Sequence, residues 1–185
     1  MQPVLSTSAL ALHNLGLAAG FGGSLFGRVA FNPSVHVIKD HTDRGAVVNR
    51  AWQRYNWINV IGMGFTAASW LIGRTLVSGR SIDRTARQLT LTKDLLLATS
   101  IVTGGATVVA GRMLAQQAPE GRVDLDGGNE ASPRTPEKAR SLIKFINVAG
   151  NVGLWTSAGV IALTAILNMR ASRSLKWNLV GRFLP

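Results

Sequence analysis

The chain lacks cysteine altogether, holds a single tyrosine and nine acidic residues, and is only 16% charged. Without thiols it has no disulfide staple, thiol nucleophile or thiolate metal site. The shortage of charge excludes more. Soluble domains carry about 25% charged residues, and disordered segments are poor in apolar side chains, whereas 46% of this chain is hydrophobic.

What is present is unevenly placed. No Asp, Glu, Lys or Arg occurs in residues 1–27, 55–73, 95–111 or 145–169, so all 29 charges fall in the other 97 residues. An ionised group at the bilayer centre costs about 2.5–3.5 kcal/mol, and windows of this length make helical rods of roughly 26–40 Å against a hydrocarbon core of about 30 Å. Helices buried in a soluble bundle normally carry a polar stripe; Leu95 to Gly111 has none. The expected fold is therefore all-α, a four-helix transmembrane bundle in one integral membrane domain, residues 1–185, with spans at about 7–29, 57–77, 95–115 and 143–169. The first window has no basic n-region, so it reads as a retained helix rather than a cleaved leader.

Between these spans, Pro33 is expected to end helix 1. Thr42 or Asp43 caps a helix whose amphipathic first turns place Val48, Trp52 and Tyr55 opposite Arg50 and Arg54. Ser81 can cap the third helix after a break at 78–81. Residues 116–134, with Pro119, Pro133, three Gly and four of the nine acids, suit a mobile polar loop. Thr135, Pro136 and Glu137 mark the start of helix 4. The tail, 170–185, spaces Leu175, Leu179 and Phe183 four apart among Arg173, Lys176 and Arg182, as in an amphipathic C-terminal interfacial segment.

The excess of Lys and Arg, with a net charge of +11, flanks the apolar windows. It suits a lipid bilayer with anionic headgroups as partner and not a nucleic acid. Trp52, Tyr55 and Trp57, with Trp70 at the other end, fit an interfacial aromatic belt. Basic residues are densest in the compact loop 2 and tail, which places both termini on the cytoplasmic side of the cell membrane.

Gly16, Gly20, Gly23 and Gly27 give helix 1 two small-xxx-small pairs, and Gly104 and Gly153 extend the device to helices 3 and 4. Such residues suit close helix packing within the chain; a homodimer seam or a membrane protein partner is their other use. Polar side chains inside the windows form the candidate intramembrane site: His13, Asn14, Asn59, Asn147 and Asn151. His13 is the ionisable group among them. Haem ligation through two imidazoles has no second His at its depth, and Met63, Met113 or Met169 would have to serve. His36, Asp40, His41 and Asp43 in loop 1 match no strong metal motif. Asp124, Asp126 and Glu130 open like a calcium loop, but Thr135 stands at its twelfth position. No metal, catalytic residue or cofactor is predicted.

Leu12, His13, Gly16, Gly22, Gly23 and Phe26 resemble the first helix of small bacterial membrane proteins related to copper-resistance protein D and to uncharacterised four-helix families. The resemblance covers about 20 of 185 residues. It implies a helical bundle and copper or a redox partner, although this chain has no further intramembrane His. The function expected is that of a multi-pass protein, a non-catalytic accessory subunit or small-ligand binder. The alternative is a membrane-embedded enzyme or transporter handling an apolar, redox or metal ligand through His13 and the intramembrane Asn residues.

Overall fold

The structure, a computed structural model, describes residues 2–77 and 84–180, with side chains for 8–72 and 84–170. It is all-α apart from one small hairpin. Four long helices run Gln2–Phe26 (α1), His41–Val77 (α2), Arg84–Ala115 (α3) and Glu137–Val180 (α4). Strands Leu125–Gly127 (β1) and Glu130–Ala131 (β2) pair antiparallel between α3 and α4. The expected break at 78–81 and the Ser81 cap lie outside the described residues.

Pro33 does not end the first helix. Its missing N–H removes one hydrogen bond and its ring crowds the preceding turn. The chain answers by widening. Gly27–Phe31 forms a π turn in which Asn32 N–H bonds Gly27 O, and helical turns continue through Asn32–Ser34 and Val35–Val37. The Ser34 hydroxyl donates to Ala30 O at 2.7 Å, satisfying a carbonyl in the altered turn.

The cap of α2 is Asp40, not Thr42 or Asp43. Its Oδ1 accepts the backbone N–H groups of Thr42 and Asp43 at 2.8 and 2.9 Å and the Thr42 hydroxyl at 2.6 Å. These bonds satisfy helix donors that would otherwise be orphaned. The Thr42 hydroxyl, followed by the Asp43 N–H, holds the Asp40 carboxyl below its ordinary range.

Residues 116–134, expected as a polar loop, contain more order than their composition suggests. Val123 and Leu125 alternate with Asp124 and Asp126, so the apolar pair turns to one side. They are buried with Val35, Val48, Ala139 and Ile143 in a compact core, with Phe31, Trp52 and Leu114 around it. Arg44 fastens the hairpin: its Nε donates to Ile38 O at 2.6 Å, and its Nη1 to the Asp126 carbonyl. The Thr135 hydroxyl, expected to cap helix 4, donates to Asp124 O and ties the hairpin to that helix. The hairpin thus caps one end of the helices.

Below it, α1 packs chiefly along α2, and α3 along α4, with lighter contact between the pairs. Backbone meets backbone at Gly16, where a Cβ would collide with Gly62 O and Thr66 Oγ1. Gly23 and Gly27 admit the Tyr55 and Trp52 rings, Gly20 faces Asn59, Gly104 sits on Met63, and Gly153 sits on Thr103. The helix 1 stripe therefore faces α2 of the same chain. Trp52 and Tyr55, expected in an interfacial aromatic belt, turn inward; the Tyr55 hydroxyl donates to Ala19 O at 2.6 Å.

Three stretches, Ser8–Val37, Arg84–Ala115 and Glu137–Arg170, are long and apolar enough to cross a membrane, and in each the most apolar window is only 17% buried. Helix α2, whose side chains are described only to Ile72, is not among these stretches. The backbone of 171–180 continues α4, so the basic tail begins as an extension of that helix; 181–185 lie outside the described residues.

Candidate functional site

Light contact between the helix pairs leaves space. A cavity of about 380 Å³ lies beneath the hairpin with walls from all four helices, within the range of roughly 300–1,000 Å³ usual for ligand sites. Its polar wall comes mainly from α2, where Asn49, Gln53, Asn56 and Asn59 recur at three- and four-residue spacing and so share one face. Arg28 and Asn32 enter from the widened end of α1, Arg112 from the last turn of α3, and Asn147 from α4. Gly128 and Asn129 of the hairpin close the top. Trp52, Tyr55 and Trp57 add aromatic surface, and no Asp or Glu lines the space.

Some of these amides are already engaged. Asn147 Nδ2 donates to Asn129 O at 2.9 Å, and Gln53 Nε2 to Asn49 Oδ1 at 3.1 Å. Asn32 differs: it is 7% exposed and its Oδ1 is enclosed without a hydrogen-bond partner. Gly128 makes that enclosure possible, since a Cβ there would strike Asn32. A second, narrow cavity of about 60 Å³ shares Ser24, Asn59, Thr107, Gly150 and Leu154 with the first and extends toward Gly16, Leu97 and Ser157.

The residues singled out from sequence do not form one cluster. Asn59 and Asn147 both line the cavity, whereas Asn14 is exposed and Asn151 is absent from the wall. His13 is buried elsewhere, against α2. Its Nδ1 lies 3.1 Å from Ser69 Oγ and 3.4 Å from Thr66 O; the carbonyl can only accept, so that contact places the proton on Nδ1. Ser69 in turn donates to Thr66 O, and Thr66 to Gly62 O. This chain of bonds fixes His13 to the tight α1–α2 seam.

At the capped end, His41 Nδ1 donates to Leu125 O at 3.0 Å, with Asp126 and Asp124 carboxylates at 3.6 and 3.8 Å, and His36 Nε2 lies 3.8 Å from Glu130. Asp43 is paired with Arg122. Among the described residues no three His, Asp or Glu side chains gather where they could hold a metal ion.

Arg28, Asn32, Arg112 and the upper amides of α2 were not anticipated. The stripe at 49, 53, 56 and 59 was the available signal, since a polar face sustained through the start of an apolar window needs a polar space to face. No family model, curated protein or solved structure matches the chain.

Proposed function

We propose that the chain is a multi-pass membrane protein in which α1–α4 form a four-helix transmembrane bundle and the cavity beneath the hairpin holds a small ligand, without catalysis. The observation carrying this reading is an acid-free space of about 380 Å³, mixed polar and apolar and partly open, among helices whose outer surfaces are apolar. It also accounts for α2, whose amides face that space and not lipid. The basic tail continues from α4 to anionic headgroups at the opposite face, and the capped end lies outside the cell. Separation of His13 from the cavity favours binding over the alternative of an enzyme or transporter working through that residue. The first-helix resemblance to copper-resistance protein D then reflects shared helix packing rather than copper handling.

Gly111 and Gly150 both line the cavity, and a Cβ at either meets nothing within 4 Å. Gly111→Leu therefore fills the space without a backbone collision. In mild detergent the wild-type chain is expected to copurify with about one small molecule, seen by native mass spectrometry, and Gly111→Leu to lose it while melting normally. A wild-type chain without bound mass, or equal retention by the variant, overturns the reading. For sidedness, a cysteine at exposed Arg134 should react with an impermeant maleimide on intact cells and one at Arg84 should not; the reverse pattern inverts the orientation.

A further inference from the structure

Arginines at the capped end are used as fasteners. Arg44 bonds Asp126 and Ile38 O, Arg122 pairs with Asp43, and Arg140 reaches Ser132 O at 3.2 Å. Arg28 and Arg112 are placed differently. Both line the cavity with exposed side chains, and neither makes a hydrogen bond or ion pair among the described residues. Two guanidiniums facing one space that contains no carboxylate leave an uncompensated positive field, and that field selects an anion.

Position narrows the anion further. Arg28 borders the charge-free window 1–27, at the edge of the first span, the level at which a guanidinium meets lipid headgroups. The π turn that carries it also carries the chain to Asn32, whose enclosed Oδ1 has no donor. An orphaned buried acceptor is expensive until a donor arrives. A ligand that combines an anion for the arginines with a hydroxyl or similar donor would satisfy Asn32 once its amide turns from beneath Gly128 toward the cavity. The narrow second cavity continues from the first between the helices, as a route for an apolar extension.

We infer that the cavity binds a hydroxyl-bearing phosphate ester, with Arg28 and Arg112 on the phosphate oxygens and Asn32 Oδ1 accepting from a hydroxyl, and that a glycerophospholipid headgroup is its source. The phosphate matches Arg because its oxygens can take several parallel N–H bonds. A zwitterionic choline headgroup supplies phosphate but no hydroxyl donor, so it is the discriminating competitor. The inference rests on the ligand-binding reading above and names its ligand class.

The test uses the full chain in maltoside micelles with equimolar phosphatidylglycerol and phosphatidylcholine, read by native mass spectrometry. Phosphatidylglycerol should be retained roughly tenfold over phosphatidylcholine. Arg28→Gln and Arg112→Gln should each lower its retention roughly tenfold, and Asn32→Leu should erase the preference between the lipids. Arg50→Gln removes the same charge from an exposed position outside the cavity and should change nothing. Equal retention of the two lipids, or retention indifferent to Arg28 and Arg112, overturns the inference. Soluble glycerol 1-phosphate, added at the lipid's concentration, should not displace it; displacement assigns the site to a water-soluble ester and overturns the lipid source. A bound molecule expelled by Gly111→Leu but indifferent to the arginines overturns this inference alone, whereas a wild-type chain with no bound mass overturns the ligand-binding reading itself.

Discussion

Val37 and Val102 are both conspicuously exposed, at 83% and 69%, but they stand in different company. Around Val37, at the capped end, six buried apolar residues form a core and side chains of opposite charge pair across it. Around Val102, midway along α3, the exposed neighbours are Leu95 and Val109, and the facing helix presents Val148 and Trp155 outward. Contacts inside the middle are made by a small apolar cluster of Leu17, Leu97 and Val160, by close glycine approaches, and by a few bonds between helices such as Ser100 Oγ to Ser157 Oγ at 2.7 Å. Other hydroxyls there return to their own helix, such as Thr99 to Leu95 O and Thr103 to Thr99 O, both at 2.8 Å. One end is therefore held together by hiding apolar surface. The middle buries a smaller apolar cluster and relies more on close backbone approach and satisfied polar groups, which is what packing requires when the surroundings are as apolar as the side chains.

The largest expected effect sets these two valines against each other. Val102→Asp should cost about 3 kcal/mol of membrane insertion, whereas Val37→Asp should insert as the parent does; a glycosylation-site insertion assay reads both. Equal insertion of the two variants would remove the distinction between the regions. Next comes Gly16→Leu, which drives a side chain into the Gly62 backbone and should cost about 2–3 kcal/mol. Thermal unfolding in detergent should show that loss and show none for Gly150→Leu, which opens onto the cavity. Arg44→Ala should cost about 2 kcal/mol through the carbonyls and carboxylate it leaves. Hydrogen exchange should then accelerate over 123–131 and remain unchanged in the middle of α3 and α4.

The smallest effect is a pH dependence at the capped end. The Asp40 carboxyl is held below its ordinary value first by the Thr42 hydroxyl and then by backbone N–H groups. Its contribution is therefore complete above the ordinary carboxylate range and is lost as the pH falls through the lowered folded-state value. Asp40→Asn retains an acceptor for the helix N–H groups and should flatten this acid limb, as followed by hydrogen exchange in the first turn of α2. An unchanged acid limb would assign the dependence to other groups.

The helices were legible because charge is excluded over long windows and that exclusion needs no knowledge of packing. The cavity was not, because sorting Asn59, Asn147, Asn151, His13 and Asn14 by depth says nothing about rotation around each helix. Asn147 and Asn151 are one turn apart, but only the first reaches the cavity wall. The hairpin was obscured by its glycines and acids, although the alternation from Val123 to Asp126 was a strand signal of period two. Pro33 was read as a terminator because its local effect on hydrogen bonding is certain; that a wider turn could absorb it depends on the hairpin waiting to pack against Val35.

That wide turn separates two angular frames on a single rod. Up to Gly27, side chains are phased to meet the α2 backbone; from Asn32 onward they are phased to meet the hairpin. Restoring an even pitch through 27–31 without removing a residue would swing Asn32 and Val35 by most of one residue's turn of roughly 100° while leaving Gly16 where it is, whereas deleting one residue at the same time would largely cancel that swing. With the pitch evened out and no residue removed, the upper assembly would lose its docking surface with the lower seam intact, so the width of this one turn sets how the two halves are indexed to each other.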